Sequence, residues 1–371
     1  MPFAFDQSVF DFFLSTRNNQ LFSTMLLLTN NLLFVGLAGL LAYLAFHKKR
    51  NDLILLVLSV FITIASAYLL KKVFQIPRPS ATEDLAKLLF TQVALYSFPS
   101  LHAAVCFSVW PLFCKLFKNI WLKIFVFLYI ILIIFSRLYL GVHYVSDLVA
   151  GAALGYLTGY FFLYLQTKYK AIDWFIHHVK DKLELRRQIA HFVMGITIVL
   201  LLKYGILNIP IITAVIVVGG LISIISRFIK VPLVYPILRF FERPKEMKLF
   251  PGKGAFFFAL GTLVVLHLYE INIAMASIVI MAVGDSITTI IGTYFGRLKN
   301  PLNPEKHLEG TVLAIFASTI AAFYIVDFHQ AFLASTIGMA FESITSRKID
   351  RIIDDNLLIP LVAGAVMTVL G

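Results

Sequence analysis

Apolar runs of about 20 residues recur along this 371-residue chain, each long enough to cross a bilayer. The runs are continuous rather than alternating, which excludes a transmembrane β-barrel and leaves helices as the spanning elements. Charged residues make up only 14% of the chain and hydrophobic ones 60%, with a mean hydropathy of +0.87. A soluble protein could not cover its surface with so few charges. The chain reads as an all-α polytopic membrane protein with about twelve transmembrane helices, five followed by seven.

The expected spans cover roughly 22–46, 52–74, 99–117, 120–140 and 144–166, then 189–203, 208–229, 254–269, 272–295, 311–327, 330–345 and 356–370. The polar, basic stretch between the two groups separates a first domain, 1–167, from a second, 188–371, with a cytoplasmic linker over 168–187. The start, MPFAFDQSVFDFF, has no basic residues ahead of an apolar core, so no cleavable signal is expected. Phe5, Val9, Phe12 and Phe13 suit one face of a short helix, either lying in the membrane interface or capping the bundle.

The formal net charge of +12 would suggest nucleic acid in a soluble protein. Here the cations cluster in every second loop: Lys48–Arg50, Lys115 and Lys118, the linker, Arg227 to Lys248, Arg297 to Lys306, and Arg347 to Arg351. That alternation is cytoplasmic-loop bias, and no nucleic-acid partner is implied. Cys106 and Cys114 share one apolar segment and have no fellow cysteines, which argues against a disulfide framework or a cysteine metal site.

Three polar islands of the first half fall on the opposite, outer side and break the charge bias. They are Lys71-x6-Arg78-Pro79, Pro99-Ser100-Leu101-His102, and Ser136-Arg137-x5-His143-x3-Asp147. The residue types suit breaking a phosphate ester through a phospho-histidine. Neutral His143 can attack phosphorus, and Asp147, one turn on, can hold its tautomer. His102 can protonate the leaving oxygen. Lys71, Arg78 and Arg137 can neutralise the phosphoryl oxygens, with Ser100 adding a hydrogen bond. This chemistry requires no metal. Lys72 suits a snorkelling anchor better than a ligand.

In order, spacing and side, the islands resemble the type-2 phosphatidate phosphatase superfamily, with its K-x6-RP, PSGH and SR-x5-H-x3-D pattern. The resemblance covers about residues 1–167 and implies the same roles. The one departure is Leu101 where the pattern has glycine. Leucine keeps the N–H but adds bulk, so a narrower site or a changed substrate is expected.

The second half carries a different polar set: Arg187-QIA-His191, Glu242-RPK-Glu246, Gly284-Asp285 with Gly292 and Gly296, Lys306-x2-Glu309-Gly310-Thr311, Glu342, and Asp355-Asn356-x3-Pro360. A carboxylate inside a span, as Asp285 is, is a functional candidate by default. Gly292-x3-Gly296 by itself suits a helix-packing face. His191 is either a satisfied helix-end histidine or a substrate contact, and His177, His178 and His307 suit solvated cytoplasmic positions.

As a set these residues resemble the CTP-dependent lipid kinases that include dolichol kinase, phytol kinase and fungal diacylglycerol kinase, over about 185–371. The resemblance implies CTP as donor and Mg²⁺ as cofactor. Phosphoryl transfer needs a Mg²⁺-binding carboxylate, a cation on the phosphates and a base. Asp285 and Glu309 are the metal or base candidates, and Lys306 is the phosphate candidate. Gly310 joins Lys306 and Glu309 at the nucleotide, and Glu342, Asp355 and Asn356 are further candidates. No G-x-x-x-x-G-K-[ST] loop is present.

Together the halves imply an outward-facing lipid phosphatase fused to an inward-facing lipid alcohol kinase, with membrane lipids and CTP as partners. A diphosphate phosphatase and an alcohol kinase share a monophosphate product, which favours polyprenyl phosphate over a futile cycle on one bond. Phosphatidate dephosphorylation paired with diacylglycerol phosphorylation is the enzymatic alternative. A non-catalytic transporter should show internal repeats, and none links the two halves. A haloperoxidase shares the first motifs, but a bilayer does not suit a vanadate enzyme.

Overall fold

The computed structural model describes residues 4–16, 18–79, 96–229, 231–232, 234–344 and 354–371. Lys230, Arg347, Lys348 and Arg351 of the expected basic loops, and the last residue of the span placed at 330–345, lie outside them. The chain forms two compact units, residues 1–176 and 177–371.

The first unit contains α1 (Ala4–Ser15), α2 (Asn19–Phe46), α3 (Arg50–Phe74), α4 (Leu101–Leu116), α5 (Ile120–Tyr139) and α6 (Val145–Tyr169). Local chemistry sets their ends. Asn119 caps α5 by accepting from the N–H groups of Trp121 and Leu122. Gln75 and Lys170 close α3 and α6 in the left-handed conformation. α6 packs most closely on α4, along Gly151, Gly155 and Gly159. A Cβ on Gly155 would overlap the Ala104 carbonyl, and one on Gly151 would overlap that of Ser100. Only bare backbone lets the two helices approach so closely.

α1 is a cap on this bundle. Phe13 meets Phe135 and Tyr139 edge-on. Asp6, 2% exposed, accepts from the N–H and hydroxyl of Ser146 at 3.0 and 2.8 Å. The stretch expected as a linker is largely helical. α7 (Ala171–Asp181) starts two residues after α6, with Ile172 in the apolar core of Leu44, Leu55 and Leu56. Asp173 accepts from Asn51 and Gln166 at 2.6 and 2.9 Å. Ile172 and Ile176, one turn apart, face that core while Asp173 lies off it, an amphipathic pattern that a basic composition alone does not reveal.

The second unit contains α8 (Leu183–Lys203), α9 (Ile209–Ser226), α10 (Val234–Phe241), α11 (Pro244–Leu249), α12 (Lys253–Leu268) and α13 (Ile271–Phe295). An antiparallel pair, β1 (Lys299–Asn300) and β2 (Asn303–His307), follows, then α14 (Leu308–Phe323), α15 (Phe328–Ile344) and α16 (Asp355–Leu370). α13 is apolar nearly all round and buried from Ala274 to Gly284, so it is the central helix, with the others packed about it. Among the described residues, six helices are long and apolar enough to span a bilayer: α3, α5, α6, α8, α9 and α13. Shorter apolar helices accompany them. The chain is an integral, multi-pass, all-α membrane protein.

Candidate active sites

The first unit gathers the seven candidate residues of its three islands. Lys71 ends α3 and donates to the carbonyls of Tyr96 and Ser97 at 2.8 and 2.9 Å, which pins the segment entering α4. Ser100 is the N-cap of α4, and its N–H donates to the carbonyl of Asp147 at 2.9 Å. His102, in the first turn of α4, lies within electrostatic reach of Arg137, Arg78, Lys71 and His143. Asp147 accepts from the Tyr144 N–H at 2.8 Å, closing the first turn of α6.

His143 sits in the turn before α6, 4% exposed. Its Nδ1 is 3.4 Å from Asp147 Oδ2, and its Nε2 is 3.3 Å from Arg78 Nη1, which also donates to the Val142 carbonyl at 2.8 Å. With a carboxylate on Nδ1 and a cation on Nε2, the ring carries its proton on Nδ1 and a lone pair on Nε2. Burial, then the charges of Arg78 and Lys71, hold His143 well below the ordinary histidine value. Burial lowers Arg78 to about 10, where it is still charged at neutral pH. Two groups face this cage without partners. Arg137 has Nε and Nη2 buried and unbonded, and so does the Ser100 hydroxyl. Buried donors left open beside other cations make a receptor for a tetrahedral anion.

The second unit joins residues from five elements. His191 on α8 holds Asp285 on α13, Nδ1 to Oδ2 at 3.0 Å. The His191 ring meets Phe258 edge-on, and its Nε2 is buried without a partner. Lys306 on β2 pairs with Glu342 on α15. Burial would lower Lys306, but Glu342, then Asp355, hold it above the ordinary lysine value. Asp354 caps α16, accepts from Asn356 and pairs with Lys253 at 3.2 Å. A cavity of about 220 Å³ is lined by Arg187, His191, Glu242, Asp285 and Asn356 on its polar side.

Glu309, Gly310 and His307 do not line this cavity. Glu309 Oε1 accepts from the N–H groups of Arg297 and Leu298, both at 2.9 Å, just past the end of α13. Asp285 lies ten residues back along that helix, about 15 Å away along its axis. Gly310 is buried between helices, where a Cβ would stand 2.6 Å from the Thr288 carbonyl, so its role is packing. His307, expected in solvent, fills the space over Gly292 and Gly296. In place of Glu309, the structure brings Glu242 to the cavity. Burial and a hydrogen bond shared with Glu246 raise Glu242 to about 8, against the pull of Arg187 and Arg243. The spacing of Glu242 and Glu246 across Pro244 was the available sequence signal.

Among the described residues, no group of three His, Cys, Asp or Glu side chains stands ready to hold a metal. Mg²⁺ is commonly held by one or two carboxylates with substrate phosphates and water. Asp285, lining the cavity, fits that mode.

The PAP2 superfamily pattern matches residues 52–171, a stretch that contains all seven residues of the first cage. The first unit is similar to the PAP2 superfamily over that stretch. Its chain is 42% identical over 76 residues to the lipid A 4'-phosphatase of Bacteroides thetaiotaomicron, 20% of this chain and 34% of that protein. It is also 34% identical over 109 residues to the probable phytol kinase 1 of Glycine max, 26% of this chain and 36% of that protein. An uncharacterized protein, MJ1137, of Methanocaldococcus jannaschii is 33% identical over 188 residues, 50% of this chain and 92% of that one. No solved structure matches. The phosphatase and kinase relatives are each spanned for about a third of their length.

In the first unit, Leu101 is the first helical residue of α4 and has negative φ, so the backbone here makes no demand for glycine.

Proposed function

We propose that the chain is a bifunctional lipid enzyme: a phosphatase in the first unit and a CTP-dependent lipid alcohol kinase in the second, both yielding polyprenyl phosphate. The observation that carries this reading is that each apolar bundle encloses its own cluster of charged residues, a set otherwise costly to bury.

In the first unit, Arg78 turns from His143 Nε2 to the entering phosphoryl group, joined by Lys71, Arg137 and Ser100. Nε2 attacks the terminal phosphorus of the diphosphate, the P–O bond of the anhydride link breaks, and His102 gives its proton to the leaving oxygen of the polyprenyl phosphate. Asp147 stabilises the positive ring. Water then attacks the phospho-histidine, His102 takes its proton, and phosphate leaves. In the second unit, Glu242 takes the proton of the lipid hydroxyl as its oxygen attacks the γ-phosphorus of CTP, and CDP departs. Lys306 and Arg187 neutralise phosphate oxygens, and Asp285, oriented by His191, would hold Mg²⁺. When bound, Mg²⁺ supplies charge neutralisation on the transferred phosphoryl group. CTP and Mg²⁺ follow from the kinase resemblance. The basic loops support an extracytoplasmic phosphatase and a cytoplasmic kinase.

The test is purified protein given labelled CTP and a panel of lipid alcohols, beside phosphate release from their mono- and diphosphates. Label in polyprenol and release from the diphosphate are expected. Diacylglycerol and phosphatidate as the preferred pair would replace the polyprenyl reading.

A further inference from the structure

Three carboxyls and two guanidiniums meet at the cavity of the second unit, between the first turns of α8 and α11. Glu184 of α8 takes Arg243 Nη2 at 2.8 Å and Arg187 Nη1 at 3.4 Å. Glu246 of α11 stands 3.7 Å from Arg187 Nη2 and 4.0 Å from Arg243 Nη1. Each guanidinium thus lies between the same two carboxylates. Glu242, the third carboxyl, makes no ion pair among the described residues. Its Oε2 is buried and unbonded, and it shares a hydrogen bond with Glu246. Of the other charged groups here, Arg186 lies over the Phe240 ring at 4.3 Å. His191 and Asp285, which line the cavity with Glu242, are bonded to each other.

Two cations match two of the acids and leave the third over. An acid in the first turn of a helix ordinarily serves that helix's own N-terminus. Glu184 instead reaches Arg243, 59 residues on. Arg243 adjoins Glu242 in the chain, so once released it has an unmatched carboxyl at hand. We infer that Glu184 is a positioning residue for the kinase base: by engaging Arg243 and Arg187 it keeps both guanidiniums off the Glu242 carboxyl. A carboxylate paired with arginine is a poor proton acceptor, whereas one that faces a second carboxylate is a good one. Glu246 completes the arrangement, holding the same two cations while sharing the hydrogen bond of Glu242. The inference rests on the kinase reading of this unit and adds what sets the strength of its base.

The experiment follows transfer from labelled CTP to a lipid alcohol against pH, with the full-length protein in detergent. The parent's rate should rise with a midpoint at about pH 8, where Glu242 ionises. Glu184→Gln frees Arg243 and should move that midpoint down by about 1–3 pH units, the effect of an opposite charge close to a carboxylate. Removing Arg243 as well, in Glu184→Gln with Arg243→Gln, again leaves one acid over and should bring the midpoint back, which a loosened fold would not do. A midpoint unmoved by Glu184→Gln, or one that stays low in the double variant, would overturn the inference. Glu246→Gln is the second variant: it removes the carboxylate facing Glu242 and should also lower the midpoint, and a midpoint left in place rejects the pairing of the two acids. Infrared spectroscopy gives a readout that needs no turnover. The carboxyl band that titrates at about pH 8 in the parent and is missing from Glu242→Gln should titrate lower in Glu184→Gln. A band that does not move rejects the inference. A band that moves in a protein that transfers no phosphate from CTP rejects the kinase reading alone.

Discussion

Arg78 Nη1 lies 3.3 Å from Nε2 of His143, so the principal cation of the first site rests on the nitrogen that has to attack. It masks the lone pair until a phosphoryl group offers it a better partner. Arg78→Ala is therefore expected to lower kcat/KM for phosphate release by about 10²–10³-fold, as loss of a transition-state donor does. His143→Ala should abolish release and any acid-labile phospho-enzyme, while labelled transfer from CTP survives.

The pH dependence follows from the same burial. His143 acts only when neutral, and its lowered value keeps it neutral below the usual 6.5. The phosphatase should thus hold its rate as pH falls through 6.5. Below 6.5 the unfolded chain binds a proton that the folded site refuses, so stability rises with pH across that window. A rate that halves near 6.5, owing to the enzyme rather than substrate ionisation, would contradict the buried neutral histidine.

Gly155→Leu should separate the two activities by a purely steric route. Its side chain would push α6 from the Ala104 carbonyl and pull Asp147 from Ser100. Overpacking of this kind costs about 1–3 kcal/mol. Phosphate release should be lost and the detergent thermal midpoint lowered, with kinase activity retained.

Leu101→Gly removes bulk without altering a backbone already helical there. A broader substrate range at the same mechanism is the expected result, read as phosphate release across head groups of rising size. An unchanged range would mean that Leu101 does not border the substrate.

Asp285→Asn should abolish kinase transfer, whereas Glu309→Gln, which still accepts from Arg297 and Leu298, should leave it near the parental rate. Kinase activity should rise with pH toward about 8, as Glu242 ionises, and Glu242→Gln should remove both that limb and most of the rate. Between 4.5 and about 8 the folded protein holds a proton on Glu242 that the unfolded chain has lost, so this group's contribution to stability falls with pH.

The spans were legible because a bilayer demands long apolar runs, and helix ends fell near the expected residues. The first site was legible because its three compact islands resemble a known pattern; spacing alone does not bring Arg78 to His143 across 65 residues. The second was less so. Lys306 meets Glu342 across 36 residues, and local pattern cannot say that Glu309 turns to the backbone while Glu242 reaches the cavity. The glycines of α6 drew no attention beforehand, since small residues announce a close crossing only when the facing helix is known.

The contact of Asp6 with Ser146 has a bearing on biosynthesis. The residue that caps the helix beginning beside His143 is made 140 positions before that helix. As the chain emerges in order, α1 must wait through four helices for its partner. The turn that holds His143 is thus completed only when α1 and the fifth long helix of its unit come together. Asp6→Asn, or a bulky fusion crowding α1, should leave membrane insertion intact while delaying or reducing the gain of phosphatase activity after synthesis.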